Sequence, residues 1–474
     1  MDVASGDWGH VNVDALVQTD APETRPVSVG RLYQEKLRPQ FHFTARQWNV
    51  ARLNPGMRQE GWINDLNGLI FYDGEYHLFA QRWAKCWLHA VSADLVHWKE
   101  LSPAFWEESD GSGVQSGSCV VDYENTSGLA KSKDQPAMVA FWSRFDNKSQ
   151  CVSHSLDRGR TWVNHPKNPI FERAERDPKV FWFAPGKHWV MLLYGASQYH
   201  ILTSPNLLDW KDEGHPIPDC FECPDFFELS LDGDPAKNKW VLVQGDGRYS
   251  VGTFDGKKFA EETPRRACDI GPNFYATQTW ANNETGDGRR IQAAWMRGSD
   301  FPDMPFNQQV SFPCELSLRS TPDGPRLFRY PVREIGKLLD KERLWKNVLL
   351  KPGEVFNLTK SGECFRLVAD FELGSGATLV FGVLGEKVVV GEDYLASGTA
   401  KGTVHGKAHH IEILIDRASI EAFLNGGELS STRFFLPKPT GLTVTAESGP
   451  VTVTSLKIFP VKSVWGSESA TKGR

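Results

Sequence analysis

From residue 68 to residue 459 the chain is dominated by short apolar and aromatic runs separated by Gly, Asp and Asn turns, which is the pattern of strands. Residues 68–72 and 75–81 flank an Asp73-Gly74 turn and predict a hairpin with β-branched and aromatic residues on both arms. Similar units recur at 179–183 and 188–193 around Pro185-Gly186-Lys187, and at 226–229 followed, after a loop, by 239–244. A second echo lies downstream of the hairpins: Ser92 to Trp98, Ser155 to Trp162 and Ser204 to Trp210 each run from a Ser through a turn to a Trp. Their spacing, about forty to sixty residues, is that of one blade of a β-propeller. Asp65 to Asp177 then spans about two blades and Asp177 to Glu222 about one. Acids at the starts of equivalent inner strands converge at one end of the propeller channel.

The pattern changes further along. Residues 332–339 carry apolar positions at helix-like spacing and predict a short connector. From about Trp345 short strands at 364–371, 378–383, 387–390, 410–416, 419–424, 441–446 and 451–459, separated by tight turns, predict a β-sandwich. The expected organisation is all-β: an N-terminal arm at 1–37, packed on the propeller or partly disordered, a propeller at 38–335, a linker at 336–344, a sandwich at 345–465 and a tail at 466–474.

Charge narrows the function. A formal net charge of −6 with acids and bases well mixed offers no basic footprint for nucleic acid and no cationic face for a membrane, so a neutral substrate fits best. No apolar run approaches a membrane span, and the first residues lack the basic and apolar regions of a signal peptide. The chain as written reads as soluble, either cytoplasmic or secreted after removal of a leader. Its 8 cysteines are scattered through a chain too large to need disulfides. Cys220 and Cys223 have the C-x-x-C form, but no second pair or spaced histidines follow, so two small buried residues beside an acid are a better reading than a zinc site. The sequons at Asn125, Asn147, Asn283 and Asn357 matter only in a eukaryotic secretory pathway.

The candidate chemistry lies in three acids. Asp65 stands between Asn64 and Asn67 beside Trp62, in a turn before a predicted inner strand. Taken alone that is a turn acid capping its own backbone. With two partner acids it becomes a nucleophile. Glu222 sits between Phe221 and Cys223-Pro224, neighbours poor in charge, which favours the protonated form a general acid needs. Arg176-Asp177 couples a guanidinium to a carboxylate expected to stay ionised and to balance a sugar cation. Two carboxylates in different protonation states plus a third charge are what cleavage of a glycosidic bond requires. Trp62, Trp83, Trp87, Trp106 and Trp295 are candidates for stacking on sugar, although with 17 Trp in the chain most must pack between blades. The loop 110–118 lacks phosphate-loop spacing and is read as presenting Ser116 to the pocket.

Together these segments resemble glycoside hydrolase family 32, the invertase, inulinase and levanase family. Residues 62–68 are similar to its W-[MI]-N-D-P-N-G signature, 79–81 to F-Y-Q, 87–98 to W-G-H-A-x-S-x-D-L-x-x-W, 116–118 to the end of F-S-G-S, 176–178 to R-D-P and 222–224 to E-C-P. Segments 38–43, 274–280, 295–296 and 415–423 share in it. The resemblance implies a five-bladed propeller joined to a β-sandwich and hydrolysis of β-fructosidic bonds with retention. It implies Asp65 as nucleophile, Glu222 as acid/base and Asp177 as transition-state stabiliser. Asn64, Gln81, Trp87, Ser116, Arg176 and Cys223 would line the subsite for a terminal fructose, and no metal or organic cofactor is implied. Leu66 stands where that pattern has Pro, Leu88 where it has Gly, and Gln115 where it has an aromatic. The expected activity is an exo-acting β-fructosidase on sucrose, inulin or levan. Its rivals are a furanosidase of the arabinan- or xylan-cleaving propeller families and a catalytically silent sugar-binding homologue.

Overall fold

The computed structural model describes residues 33–49, 53, 61–108, 111–145, 149–282 and 286–465, together with the backbone of Arg25–Pro26. Most of the expected arm, the whole tail at 466–474, and the sequons at Asn147 and Asn283 lie outside the described residues. The first sheet is an antiparallel meander of Leu66–Tyr72, Glu75–Arg82, Cys86–Ser92 and Lys99–Leu101. A second runs Gly117–Asp122, Ala137–Ser143, Ser149–Ser155 and Val163–Asn164, and a third runs Arg176–Phe183, His188–Gly195, Gln198–Ser204 and Lys211–Asp212. A composite nine-stranded sheet follows. It divides into a meander opened by Asp225–Leu231 and another opened by Tyr275–Thr279, joined by one parallel residue pair, Leu231 with Leu318.

The ring of inner strands is closed by side chains rather than by a continuous ladder. Gly117 N–H donates to Asn67 Oδ1 at 3.1 Å, and Ser118 Oγ donates to the Pro178 carbonyl at 2.8 Å while accepting from Val180 N–H at 2.9 Å. Lys179 Nζ meets Asp225 Oδ1 at 2.7 Å, and Thr279 N–H donates to the other Asp225 oxygen at 2.6 Å. Ala281 N–H donates to the Leu69 carbonyl at 2.9 Å and returns the ring to its start. Because side chains alternate across a strand, each sheet buries one face on its predecessor and the other on its successor. Trp87 and Phe79 of the first sheet pack on Met138 and Trp142 of the second, whose other face sets Val139 and Phe141 against Met191 and Leu193 of the third. The same alternation continues through Leu192 with Phe226, Val241 with Leu316, and Ile291 with Leu78. This is a β-propeller.

The Ser-to-Trp echoes are the corners between the third and fourth strands of successive sheets. In each, the Ser hydroxyl lies 2.8–3.3 Å from an Asp or Asn two residues on, and the Trp indole N–H donates to the carbonyl three residues back, to Leu95, Gly159 and Leu207 at 2.8–2.9 Å. A fourth corner escapes the sequence pattern: Asp255 accepts from Lys257 and Lys258 N–H at 2.9 and 2.8 Å, but it ends on Phe259, which has no donor. The second arm of the fourth hairpin also starts earlier than expected, at Asp234, because a two-residue turn replaces the anticipated loop.

The connector is a 3-10 helix, Arg333–Leu338, that buries Ile335 and Leu338. Beyond it two six-stranded antiparallel sheets face each other around a core that includes Phe365, Phe381, Ile413 and Val444. This is the sandwich. The described end of the expected arm packs on the sandwich, where Tyr33 stacks on Trp465 at 3.8 Å and Arg417 donates to the Glu35 carbonyl at 2.8 Å; just beyond the arm, the backbone N–H groups of Gln40, Phe41 and His42 all donate to the Asp416 carboxylate. Among the described residues no helix is long and apolar enough to cross a membrane, and no three His, Cys, Asp or Glu side chains are grouped to hold a metal ion.

Candidate active site

The inner strands begin at one mouth of the channel, and several begin irregularly. Register shifts interrupt pairing between Asn67 and Ile70, between Arg176 and Lys179, and between Tyr275 and Gln278. Gly68, Asp177 and Ala276 sit inside them at φ of 54°, 60° and 46°. Bulges of this kind bend a strand and re-aim the side chains beside them. At Gly68 the bend also needs a missing side chain, since a Cβ there would lie 3.0 Å from Cys119 Cβ and 3.1 Å from Trp87. Glu222 and Cys223 are likewise left-handed, at φ 36° and 39°, a conformation that costs free energy unless the surroundings hold it. They do so here. The buried Tyr199 hydroxyl donates to the carbonyls of Phe221 and Glu222 at 3.0 and 2.7 Å, and Gly245 N–H donates to both.

These devices gather Asp65, Asp177 and Glu222 around a cavity of about 210 Å³, together with Trp62, Asn64, Gln81, Trp83, Gln115, Phe145 and Arg176. Asp65 Oδ2 accepts from Ser116 Oγ at 2.7 Å and from Gln81 Nε2 at 3.1 Å, while the same Gln81 amide reaches Ser116 at 2.5 Å and the Asn64 amide lies 3.5 Å from Gln81 Oε1. Asp177 Oδ2 accepts from Cys223 N–H at 3.0 Å, and Cys223 Sγ lies 3.7 Å away. Burial pushes the Asp65 carboxyl up to about 6; the Ser116 hydrogen bond opposes the rise and the Glu222 charge adds to it. Burial, then the charge of Asp65, pushes Asp177 up to about 7 against the pull of Cys223 N–H and Arg176. Asp65 and Asp177 are therefore coupled, and both carboxyls are held above the ordinary carboxylate range.

Three expectations need correction. Glu222 is not in a charge-poor setting: Arg176 Nη2 donates to it at 2.5 Å and the Tyr275 hydroxyl donates to its other oxygen, because neighbours across the pocket replace the apolar neighbours in sequence. Arg176 pairs with that Glu more closely than with Asp177, from which its Nε is 3.8 Å away. Asp177 is thus left buried without the close guanidinium expected to keep it ionised. Trp87 does not line the cavity; it is fully buried between sheets, and its indole N–H props the pocket loop by donating to the Gln115 carbonyl at 2.9 Å. The aromatic wall is made instead by Trp62 and Trp83, stacked with centroids 4.1 Å apart. Cys223 acts through its backbone and thiol on Asp177. Two groups were missed as site residues: Tyr275, and Arg297, whose guanidinium lies 4.5 Å over the Tyr275 ring. The only signal was that Tyr275 falls in a segment of the resemblance.

Residues 57–331 match the model for the glycosyl hydrolases family 32 N-terminal domain, and residues 357–460 match the family 32 C-terminal model. The chain belongs to glycosyl hydrolase family 32. It is 34% identical over 505 residues to a levanase of Bacillus subtilis (strain 168), covering 92% of this chain and 72% of that one. With a levanase of Bacillus sp. (strain L7) the identity is 31%, over 93% of this chain but only 54% of the relative. An extracellular exo-inulinase of Aspergillus niger is 28% identical over 85% of this chain and 90% of its own. Among solved structures, the exo-inulinase from Aspergillus awamori superposes with a TM-score of 0.78 at 25% identity, covering 91% of this chain and 100% of that one. The propeller-plus-sandwich reading accords with this family 32 likeness. Within family 32, the hydrogen bonds from Ser116 and Gln81 to Asp65 give this chain's Ser-Gly-Ser and Phe-Ala-Gln segments a physical function: they hold one carboxylate from a neighbouring strand and from the residue that leads into another.

Proposed function

We propose that this family 32 member is an exo-acting β-fructosidase that releases fructose from fructosides of the sucrose, inulin or levan type by double displacement, on a five-bladed propeller spanning 38–335, linked through 336–344 to a sandwich at 345–465. The five-blade count treats the two meanders of the composite sheet as separate blades. The relatives named levanase and exo-inulinase support the substrate class. One observation carries the chemistry: three carboxylates at or just before the starts of three separate inner strands share a cavity of about 210 Å³, room for a single sugar ring.

In this reading Asp65 is the nucleophile. Its Oδ2 is occupied by Ser116 and Gln81, which leaves Oδ1 to form the bond to the anomeric carbon. As the C–O bond to the leaving group breaks, a proton held on Glu222 passes to the departing oxygen. Water then attacks the same carbon, Glu222 takes the water's proton, and the Asp65 carboxylate is regenerated. Asp177, buried beside the ring, balances the positive charge of the oxocarbenium-like transition state, and Arg176, which lines the cavity, offers its remaining N–H groups to sugar hydroxyls. Glu222, bonded by Arg176 and by the Tyr275 hydroxyl, is held at the cavity where a leaving oxygen departs.

Incubation with sucrose, inulin and levan, followed by chromatography of the products, tests the proposal, with Asp65→Asn and Glu222→Gln as controls. Fructose is the expected first product from at least one of the three. Absence of fructose from all, long oligosaccharides in its place, or full activity in either control overturns the reading.

A further inference from the structure

The molecule has a larger cavity, about 570 Å³, at the far end of the same inner strands. Along the third inner strand the order is Asp177 at the acid mouth, Lys179 within the channel, and Trp182 at this second mouth. Five residues of strand separate the two ends, about 15 Å. Between them lies the buried Lys179–Asp225 ion pair, so the cavities are not one continuous tunnel for a sugar chain.

The second cavity shares the composition of the first. Among the described residues four aromatic side chains are both large and well exposed: Phe145, Phe221, Tyr123 and Trp182. Phe145 lines the acid pocket and Phe221 precedes Glu222; Tyr123 at 40% and Trp182 at 37% exposure both line the opposite cavity. Exposed rings held rigidly at a concave site mark a place where a ligand is covered. Trp182 is held by an edge contact with Trp189, centroids 5.0 Å apart, and Tyr123 by an Asn282 amide that donates to its hydroxyl at 2.7 Å. Of the charges around the cavity, Lys179 is paired with Asp225 and Glu124 with Lys133, which leaves Glu228 against Arg290 and no net field for an ion. Aromatic faces flanked by amide, carboxylate and guanidinium groups suit a neutral ligand that is apolar on its C–H faces and rich in hydroxyls at its edges. A lipid chain would use the rings and waste the polar groups.

The geometry points to a second, non-catalytic carbohydrate-binding site at this mouth, with Trp182 and Tyr123 as stacking platforms, that holds a short neutral oligosaccharide of the polymer whose end is cleaved at the acid pocket. The ligand class rests on the function proposed above. The site retains a fructan chain on the enzyme between cleavage events and makes no covalent step.

Calorimetric titration of the full chain carrying Asp65→Asn with an inulin-type tetrasaccharide tests this. Two binding events are expected, and adding Trp182→Ala or, separately, Tyr123→Ala removes one of them. In the otherwise unaltered enzyme Trp182→Ala leaves kcat and KM for sucrose unchanged and raises KM for long fructan several-fold; Trp182→Phe, which keeps packing on Trp189, lies between. A single event in the Asp65→Asn parent, or two events surviving both platform variants, overturns the proposal. Binding is read without turnover, so failure of the catalytic reading shows separately, as absence of fructose release. In that case a panel of malto-, xylo- and fructo-oligosaccharides decides whether the cavity binds neutral sugar at all, and no binding by any of them also overturns the proposal.

Discussion

The cluster of buried charge at the mouth of the propeller and the one where the propeller meets the sandwich are built on opposite principles. At the interface His42 is sealed between Asp416 and Glu421, its ring nitrogens 2.8 and 2.9 Å from their oxygens, and Arg329 lies 3.6 Å from Glu421 and 3.4 Å from Asp269. Backbone N–H groups fill in around the acids: three donate to Asp416, Phe312 N–H to Glu421, and Gly271 and Thr432 N–H to Asp269. Burial alone would neutralise His42, but its hydrogen bonds to Asp416 and Glu421 outweigh that and raise it to about 9. At the pocket three carboxylates face chiefly one close guanidinium, and burial raises Asp65 and Asp177 instead of being answered. A similar density of charge gives rigidity where donors are plentiful and a reactive, proton-holding cluster where they are short.

Substitutions separate the two regimes. Asp177→Asn should lower kcat on the order of 10³-fold while raising stability by about 1–3 kcal/mol at pH 8. The sign follows from the raised carboxyl: the folded state keeps a proton that the unfolded chain releases between about pH 4 and 7, so this acid weakens the fold progressively across that window, and Asn removes the effect. Denaturant midpoints at pH 5 and pH 8 check it; a variant no more stable at pH 8 than the parent contradicts the account of the pocket. His42→Ala should do the reverse, costing about 3–5 kcal/mol at pH 6 with kcat per folded molecule unchanged. The charge-linked part of the His42 contribution is complete below its ordinary value of 6.5 and is lost as pH rises through about 9, so the gap between parent and variant midpoints should narrow from pH 6 to pH 10. The smallest effect belongs to Tyr275→Phe, which removes one donor from Glu222. It should lower kcat about tenfold and shift the acidic or basic limb of the pH–rate profile, whereas a merely structural Tyr would leave that profile in place.

The fold was legible where burial is one-sided or complete and side chains are apolar. The strands Thr378–Val383, His410–Asp416 and Ser419–Leu424 lie where the pattern predicts. Leu429–Phe434 was hidden because it is buried on both faces by polar groups: Ser430 and Thr432 bond Asp269 at the interface with the propeller, while Arg433 bonds Ser397 and Glu386 within the sandwich. Arg343–Leu350 was hidden for a different reason: as a sheet-edge strand most of it is exposed and shows little alternation. In the pocket, the acids were legible because repeat spacing and short motifs coincide. What surrounds each acid was not. Glu222 takes its charged neighbour from 46 positions earlier and its phenol from 53 positions later, and local composition carries no trace of either. Trp87 misled for a related reason, since a conspicuous aromatic two turns of chain from the acids fills the seam between sheets instead.

The clamp on the segment that begins at Gln40 reaches across 376 positions to Asp416. On a ribosome adding about 5–20 residues per second, that early segment waits roughly 20–75 s for its anchor to be made. The propeller is therefore synthesised well before the fastener that secures its leading edge, and until the sandwich emerges His42 has neither of its two carboxylate counterions.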